Sequence, residues 1–367
     1  MAGPLAGLRV VELAGLGPGP FCAMLLADMG AEVVRVQRLG TSQQLAATDV
    51  LVRGREVVEL DLKLESDRQT LKQLCACADV LIEGFRPGVM ERLALGPAEL
   101  LSDNPALIYA RMTGWGQTGE MAPRAGHDIN YIAISGVLHA IGDSNHGPAI
   151  PLNLIGDFGG GGMMLAMGIL AGVLNARQSG QGQVIDAAMS DGSALLSSMM
   201  WGFMQSGHWV NDRGANFLDG AAHFYTTYAC ADGKYVAVGA IEPQFYQALC
   251  EGLDLAADDV APNYRSAAVW SEQKAKLAEV FRRKSRDEWC ELFKHRDACV
   301  APVLDWHEAK DYVHNQQRRT FIELDGVTQP APAPRFSVTP SEAKPFQIAA
   351  DGVKSILTRW QVSSDEH

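Results

Sequence analysis

The sequence predicts an α/β fold: a largely parallel sheet with helices on both faces, followed by a smaller α+β part. Three observations lead there. Strand-like runs alternate with helical patterns through the first half of the chain, and a βαβ unit opens it. Near residue 207 the texture changes to a hairpin followed by helices.

Residues 8–13 read as a buried strand and 32–36 as a second, with an apolar helix over 21–29 between them. Further strands are expected at 57–60, 80–82 and 107–111, and helices at 129–139, 158–177 and 191–205. Residues 223–230 and 234–240 flank Ala231-Asp232-Gly233, an Asp-Gly turn that predicts a hairpin. Helical patterns around 245–249, 272–282 and 287–294 complete the middle part. After Thr328, Pro330, Pro332, Pro334, Pro340 and Pro345 predict an extended strap laid over a surface.

A chain of 367 residues with 47% hydrophobic content suits two domains better than one. Lys and Arg number 31 against 43 Asp and Glu, a net charge of −12 that argues against nucleic acid as a partner. Basic residues that matter are then few and specifically placed. No apolar run is expected to reach a membrane span, because the richest, 163–174, is short and punctuated by glycine. The start shows no basic segment ahead of an apolar one, so no secretory signal is expected. The seven cysteines are scattered, and Cys75-Ala-Cys77 has neither zinc nor thioredoxin spacing. Free thiols and no metal site are the reading.

Two segments carry the chemistry. Gly126-His127-Asp128-Ile129-Asn130-Tyr131 offers a histidine at the mouth of an apolar stretch. Ile155-Gly156-Asp157-Phe158, followed by Gly159 to Gly162, sets a carboxylate before a glycine run that is expected to open a long helix. One imidazole and one carboxyl group are what proton abstraction and reprotonation from the opposite face require. Taken alone, His127 also suits a cap or core histidine, and Asp157 a helix N-cap. The glycines at a helix start would present unpaired N–H groups to a developing oxyanion, or would merely let helices pack closely.

The turn Gly15-Leu16-Gly17-Pro18-Gly19-Pro20 after the first strand is not a dinucleotide fingerprint. Its third glycine is misplaced, two prolines remove backbone donors, and the second strand ends in Gln37-Arg38 without a carboxylate. Arg38 instead suits a terminal phosphate, whether the 2′-phosphate of NADP or the 3′-phosphate of coenzyme A.

Val10-Val11-Glu12-Leu13, Gly17-Pro18-Gly19-Pro20, Arg86-Pro87-Gly88, the 126–131 segment and Ile241-Glu242-Pro243-Gln244-Phe245-Tyr246 together resemble the class III (formyl-CoA transferase-like) CoA-transferase family, from about residue 5 to about 335. Within it they resemble the branch that inverts 2-methylacyl-CoA thioesters. The resemblance implies a Rossmann-like large domain formed by both chain ends (1–206, with 316–367 as an extended return) and a small α+β domain inserted over 207–315. It also implies an interlocked homodimer. It makes His127 and Asp157 the acid/base pair and sets Glu242 in a motif that reaches the partner's active site. It assigns coenzyme A contacts to Arg38, Leu60, Asp61, Leu62, Lys63, Arg86 and Arg92, and to the backbone of Gly126, Asp128, Ile129, Asn130 and Tyr131. Coenzyme A would be part of the substrate, with no separate cofactor. The ending Ser363-Ser364-Asp365-Glu366-His367 lacks a peroxisomal tripeptide, so a bacterial cytoplasmic location is expected.

Inversion next to a thioester carbonyl removes a weakly acidic proton and returns one to the other face, which two groups do more naturally than one. Unperturbed, an aspartate titrates near ~3.9 and a histidine near ~6.5, so a donor Asp157 needs its proton affinity raised, as burial would do. Glu242 could add to this as a like charge. The rival reading is a CoA-transferase of the same family, in which Asp157 attacks the thioester and becomes an acyl anhydride. His127 discriminates between them, since the transferase needs no second acid/base group.

Overall fold

The computed structural model describes residues 3–255 and 261–362; the ending Ser363 to His367 lies outside the described residues. The chain divides into two compact units. One is drawn from Met1–Ser135, Leu152–Leu196 and His314–His367, the other from Gly136–Pro151 and Ser197–Val313. The second thus takes in residues 136–151 and 197–206 besides most of the expected 207–315 span.

Strands run in chain order β1 (Arg9–Leu13), β2 (Glu32–Gln37), β3 (Arg55–Glu59), β4 (Val80–Glu83), β5 (Ile108–Thr113), β6 (Gln183–Ala188), β7 (Tyr225–Ala229), β8 (Tyr235–Gly239), β9 (Val300–Val303), β10 (Phe321–Leu324), β11 (Val327–Pro330) and β12 (Gln347–Ile348). In the first unit seven strands form one parallel sheet, ordered β12-β3-β2-β1-β4-β5-β6. Its central strands are near-continuous Val, Leu and Ile runs because helices cover both faces. The exception, Glu12 of β1, is fully buried, yet Arg55 Nε meets its Oε2 at 3.0 Å and Arg35 pairs with its other oxygen. A charge so placed is tolerable only when paired.

Three helical expectations change. The 129–139 helix breaks at Gly136 (φ 85°) into Asp128–Ile134 and Val137–Ala140. The 191–205 helix is two, Met189–Leu196 and Ser198–Gln205. The 158–177 helix begins earlier, as a π-helical run over Leu154–Met163 that continues as an α-helix over Met164–Ser179. Gly159 to Gly162 therefore lie inside a helix and do not open one, which removes them as free oxyanion donors. They serve packing. A Cβ on Gly160 would lie 2.6 Å from the Ser193 nitrogen, and one on Gly162 would lie 2.8 Å from the Pro18 carbonyl oxygen.

The whole 154–179 run spans 26 residues, with mean hydropathy 1.5 in its most apolar window. By length and composition alone that is enough to cross a membrane, which the sequence reading did not expect. Leu165, Ala166, Ile169 and Val173 belong to the first unit's core, while Met163, Met167 and Leu174 are exposed.

Residues 331–346 form an extended strap; the Lys344 carbonyl accepts from the Gly54 N–H at 2.6 Å and Glu342 N–H donates to the Asp28 carbonyl at 2.9 Å. Pro330 instead ends β11 in a hairpin with β10. Beyond the strap, β12 and the helix Val353–Val362 were not expected; Ile356 and Trp360 of that helix are buried.

In the second unit β7, β8 and β9 form an antiparallel sheet. The Ala229–Tyr235 pairing closes the expected hairpin around its Asp-Gly turn. Phe224, Tyr228, Phe281 and Trp289 centre its core. His223 is wholly buried there, Nε2 3.1 Å from the Tyr246 hydroxyl, and burial pushes its pKa down to about 4.

Candidate active site

Ligands of parallel sheets gather at the carboxyl ends of the strands, where loops diverge. In the first unit the loops after β1, β4 and β5 enclose a cavity of about 520 Å³ lined by both His127 and Asp157. A second hollow of about 730 Å³ is lined by Arg38, Leu60, Asp61, Leu62 and Lys63. Leu13, Gly15, Leu16 and Phe85 line both, so the two adjoin. Arg38 and Lys63 stand exposed along the second, as cations meeting phosphates from solvent would.

His127 is exposed at the head of the Asp128–Ile134 helix on extended backbone, and its N–H donates to Asn130 Oδ1 at 3.0 Å. The loop before it is fixed by Tyr131, whose hydroxyl donates to the Gly126 carbonyl and whose ring meets Trp115 edge-on at 4.6 Å. Glycine is required at 114 and 126, where a Cβ would come within 2.1 and 2.7 Å of that ring.

Asp157 is half-buried within the Leu154–Met163 run. Its N–H donates to Asp128 Oδ2 at 2.7 Å, and its Oδ2 accepts from Asn153 Nδ2 at 3.0 Å. Gly17, in left-handed backbone at φ 67°, lets the first turn come against the same oxygen; a Cβ there would lie 3.1 Å away. Burial raises the Asp157 pKa and the Asp128 charge adds to it, opposed by the Asn153 hydrogen bond and by His127. The lining of one cavity thus holds two groups that can take up or release a proton.

The other expected residues divide. Gly126 and Tyr131 line the His127 cavity, as does Arg86, which is not part of the Arg38 groove. Arg92 lines neither and lies by Gly88, where a Cβ would meet its Nη1 at 3.3 Å. Asp128, Ile129 and Asn130 also line neither, and Asp128 is buried behind the cavity. Glu242 belongs to the second unit, exposed as N-cap of the Pro243–Gly252 helix without a capping side-chain bond.

Sequence reasoning missed Asn153, although its position four residues before Asp157 is a helical spacing. It also missed a clamp on the turn that follows β4. Arg111 Nε donates to Glu83 Oε1 at 2.9 Å and its Nη2 to Glu91 Oε1 at 2.7 Å, while Glu83 Oε2 accepts the Phe85 N–H at 2.7 Å. Among the described residues no group of three His, Cys, Asp or Glu side chains is arranged to hold a metal ion.

The sequence profile of CoA-transferase family III matches residues 5–351. The chain belongs to CoA-transferase family III. Among the family's relatives it is 50% identical over 366 residues to alpha-methylacyl-CoA racemase of Mus musculus, covering 99% of this chain and 94% of that protein. It is likewise 50% identical over 365 residues to alpha-methylacyl-CoA racemase of Homo sapiens, with coverage of 99% and 94%. A solved CAIB/BAIF family protein from Brucella suis shares the fold, with TM-score 0.82 at 24% identity, covering 98% of this chain and 100% of that one.

Proposed function

We propose that this member of CoA-transferase family III is a 2-methylacyl-CoA racemase, interconverting the R and S thioesters by moving one proton off and one onto carbon 2. What supports it most is the lining of a single cavity by an imidazole, His127, and a carboxyl group, Asp157, in a chain half-identical to two racemases. Coenzyme A enters as part of the substrate. Its phosphates meet Arg38 and Lys63 in the adjoining groove, and the thioester passes Phe85 into the cavity.

For one hand of substrate the neutral imidazole of His127 takes the proton and protonated Asp157 returns one to the opposite face; for the other hand the roles reverse. The raised proton affinity of Asp157 favours its donor role. The enolate oxygen needs preorganised donors. Gly159 to Gly162 do not supply them, because their N–H groups lie inside the Leu154–Met163 helix.

The enzyme works as an interlocked homodimer in this reading. Met163, Met167, Leu174, Leu195 and Leu196 of the first unit leave an apolar surface that a second copy would cover, and Glu242 serves the site of that other copy.

A single-handed 2-methylacyl-CoA incubated in heavy water, with a carboxylate acceptor present, is the test. Deuterium should appear at carbon 2 with formation of both hands, and Asp157→Asn should stop inversion with coenzyme A affinity little changed. Transfer of coenzyme A to the acceptor without exchange at carbon 2 would replace this reading with the transferase.

A further inference from the structure

We infer that Asp128 is a positioning residue that sets the spacing between the two proton-transfer groups, its carboxylate tying the helix led by His127 to the backbone of Asp157. The inference rests on the racemase reading. Asp128 is 5% exposed, and its Oδ2 accepts the Asp157 N–H at 2.7 Å, across 29 residues of chain. It is covalently next to His127, so a single hydrogen bond separates the backbone of one acid/base residue from the backbone of the other. Each end is fixed independently: His127 through Asn130, whose N–H donates to the His127 carbonyl at 2.8 Å, and Asp157 through Asn153.

Two features say that the brace is more than helix decoration. Asp128 Oδ1 is buried without a hydrogen-bond partner, a costly way to keep a carboxylate when a residue at a helix start has water available. Gly156 leaves the room the brace needs, because a Cβ there would lie 2.6 Å from Asp128 Oδ2.

Inversion needs both groups within reach of one carbon from opposite faces, whereas exchange of its hydrogen with solvent needs one. Misplacement by about 1 Å can cost on the order of 100-fold in rate. Loosening the brace should therefore cost inversion more than exchange.

The full-length protein and its Asp128→Ala, Asp128→Asn and Gly156→Ala variants would be given a single-handed 2-methylacyl-CoA in heavy water. Deuterium at carbon 2 and inversion would be followed separately. Asp128→Ala should lose inversion by roughly tenfold to 100-fold with KM little changed, and the ratio of exchange to inversion should rise. Asp128→Asn keeps an acceptor oxygen and should recover most of the loss. Gly156→Ala, which pushes the carboxylate away from the other side, should behave as Asp128→Ala does and decides the matter if the latter does not fold. Exchange and inversion falling together, or an Asn variant as impaired as the Ala variant, would overturn the inference. A native protein that neither exchanges nor inverts would overturn the racemase reading, and this inference with it.

Discussion

Removing Asn153 tests the proton affinity of Asp157 directly. Asn153 Nδ2 donates to Asp157 Oδ2 at 3.0 Å, which stabilises the carboxylate and opposes the upward push of burial. Hydrogen bonds to charged groups contribute about 1.5–3 kcal/mol. Asn153 is exposed and Asp157 half-buried, so water replaces part of the loss and about half remains, ~0.75–1.5 kcal/mol. At 1.36 kcal/mol per unit, Asn153→Ala should raise the Asp157 pKa by about 0.5–1 unit. Because His127, Asp128 and Tyr131 interact with Asp157, the observed limbs belong to the coupled set.

Both hands of substrate use enzyme with one proton shared by the His127–Asp157 pair. The pH profiles of kcat/KM in the two directions therefore share their limbs. The acid limb, where the pair gains its second proton, should move up by that 0.5–1 unit in both directions. Below it the rate should fall about 3–10-fold relative to the native enzyme, while the high-pH limb stays. Racemisation of each hand, followed by polarimetry across pH, measures this. A limb that moves down, or that moves in one direction of reaction only, would refute the shared-proton argument.

Two other expectations follow from the cleft and the glycine run. Arg38→Ala should weaken coenzyme A binding by roughly tenfold through loss of a charge-assisted phosphate contact, and should leave a truncated pantetheine thioester almost unaffected; isothermal titration with both ligands checks it, and equal losses would take Arg38 off the phosphates. Gly160→Ala forces a methyl to within 2.6 Å of the Ser193 nitrogen and should destabilise the protein by about 1–3 kcal/mol, read as a lower thermal midpoint; unchanged stability with a raised KM would return the glycines to substrate contact.

The parallel sheet was legible because its central strands are buried on both faces and so read as plain apolar runs. β6 was not: at the sheet edge Gln183, Val184 and Asp186 are exposed, and no run survives. The two-residue β12 carries too little pattern to see. Periodicity found the 158–177 helix but not its π-helical opening, whose glycines pack against Pro18 and Ser193 from elsewhere in the chain. His127 and Asp157 stood out as residues, and Arg38 with Lys63 through resemblance and charge. Asn153 and Arg111 did not, because what they do lies in hydrogen bonds that only the folded chain defines. The places of Arg86 and Arg92 likewise depend on how the 84–92 turn runs.

The strand at Gln347–Ile348 hydrogen-bonds beside β3, and Trp360 Nε1 donates to Glu32 Oε2 at 3.0 Å. The border of the main sheet therefore cannot be finished until residues 347–360 have left the ribosome. The Ser197–Val313 segment, by contrast, holds every strand of its own sheet and can condense while synthesis continues. Until then β3 presents an open border to the cell, a window in which a chaperone or a neighbouring nascent chain would find its unpaired amides.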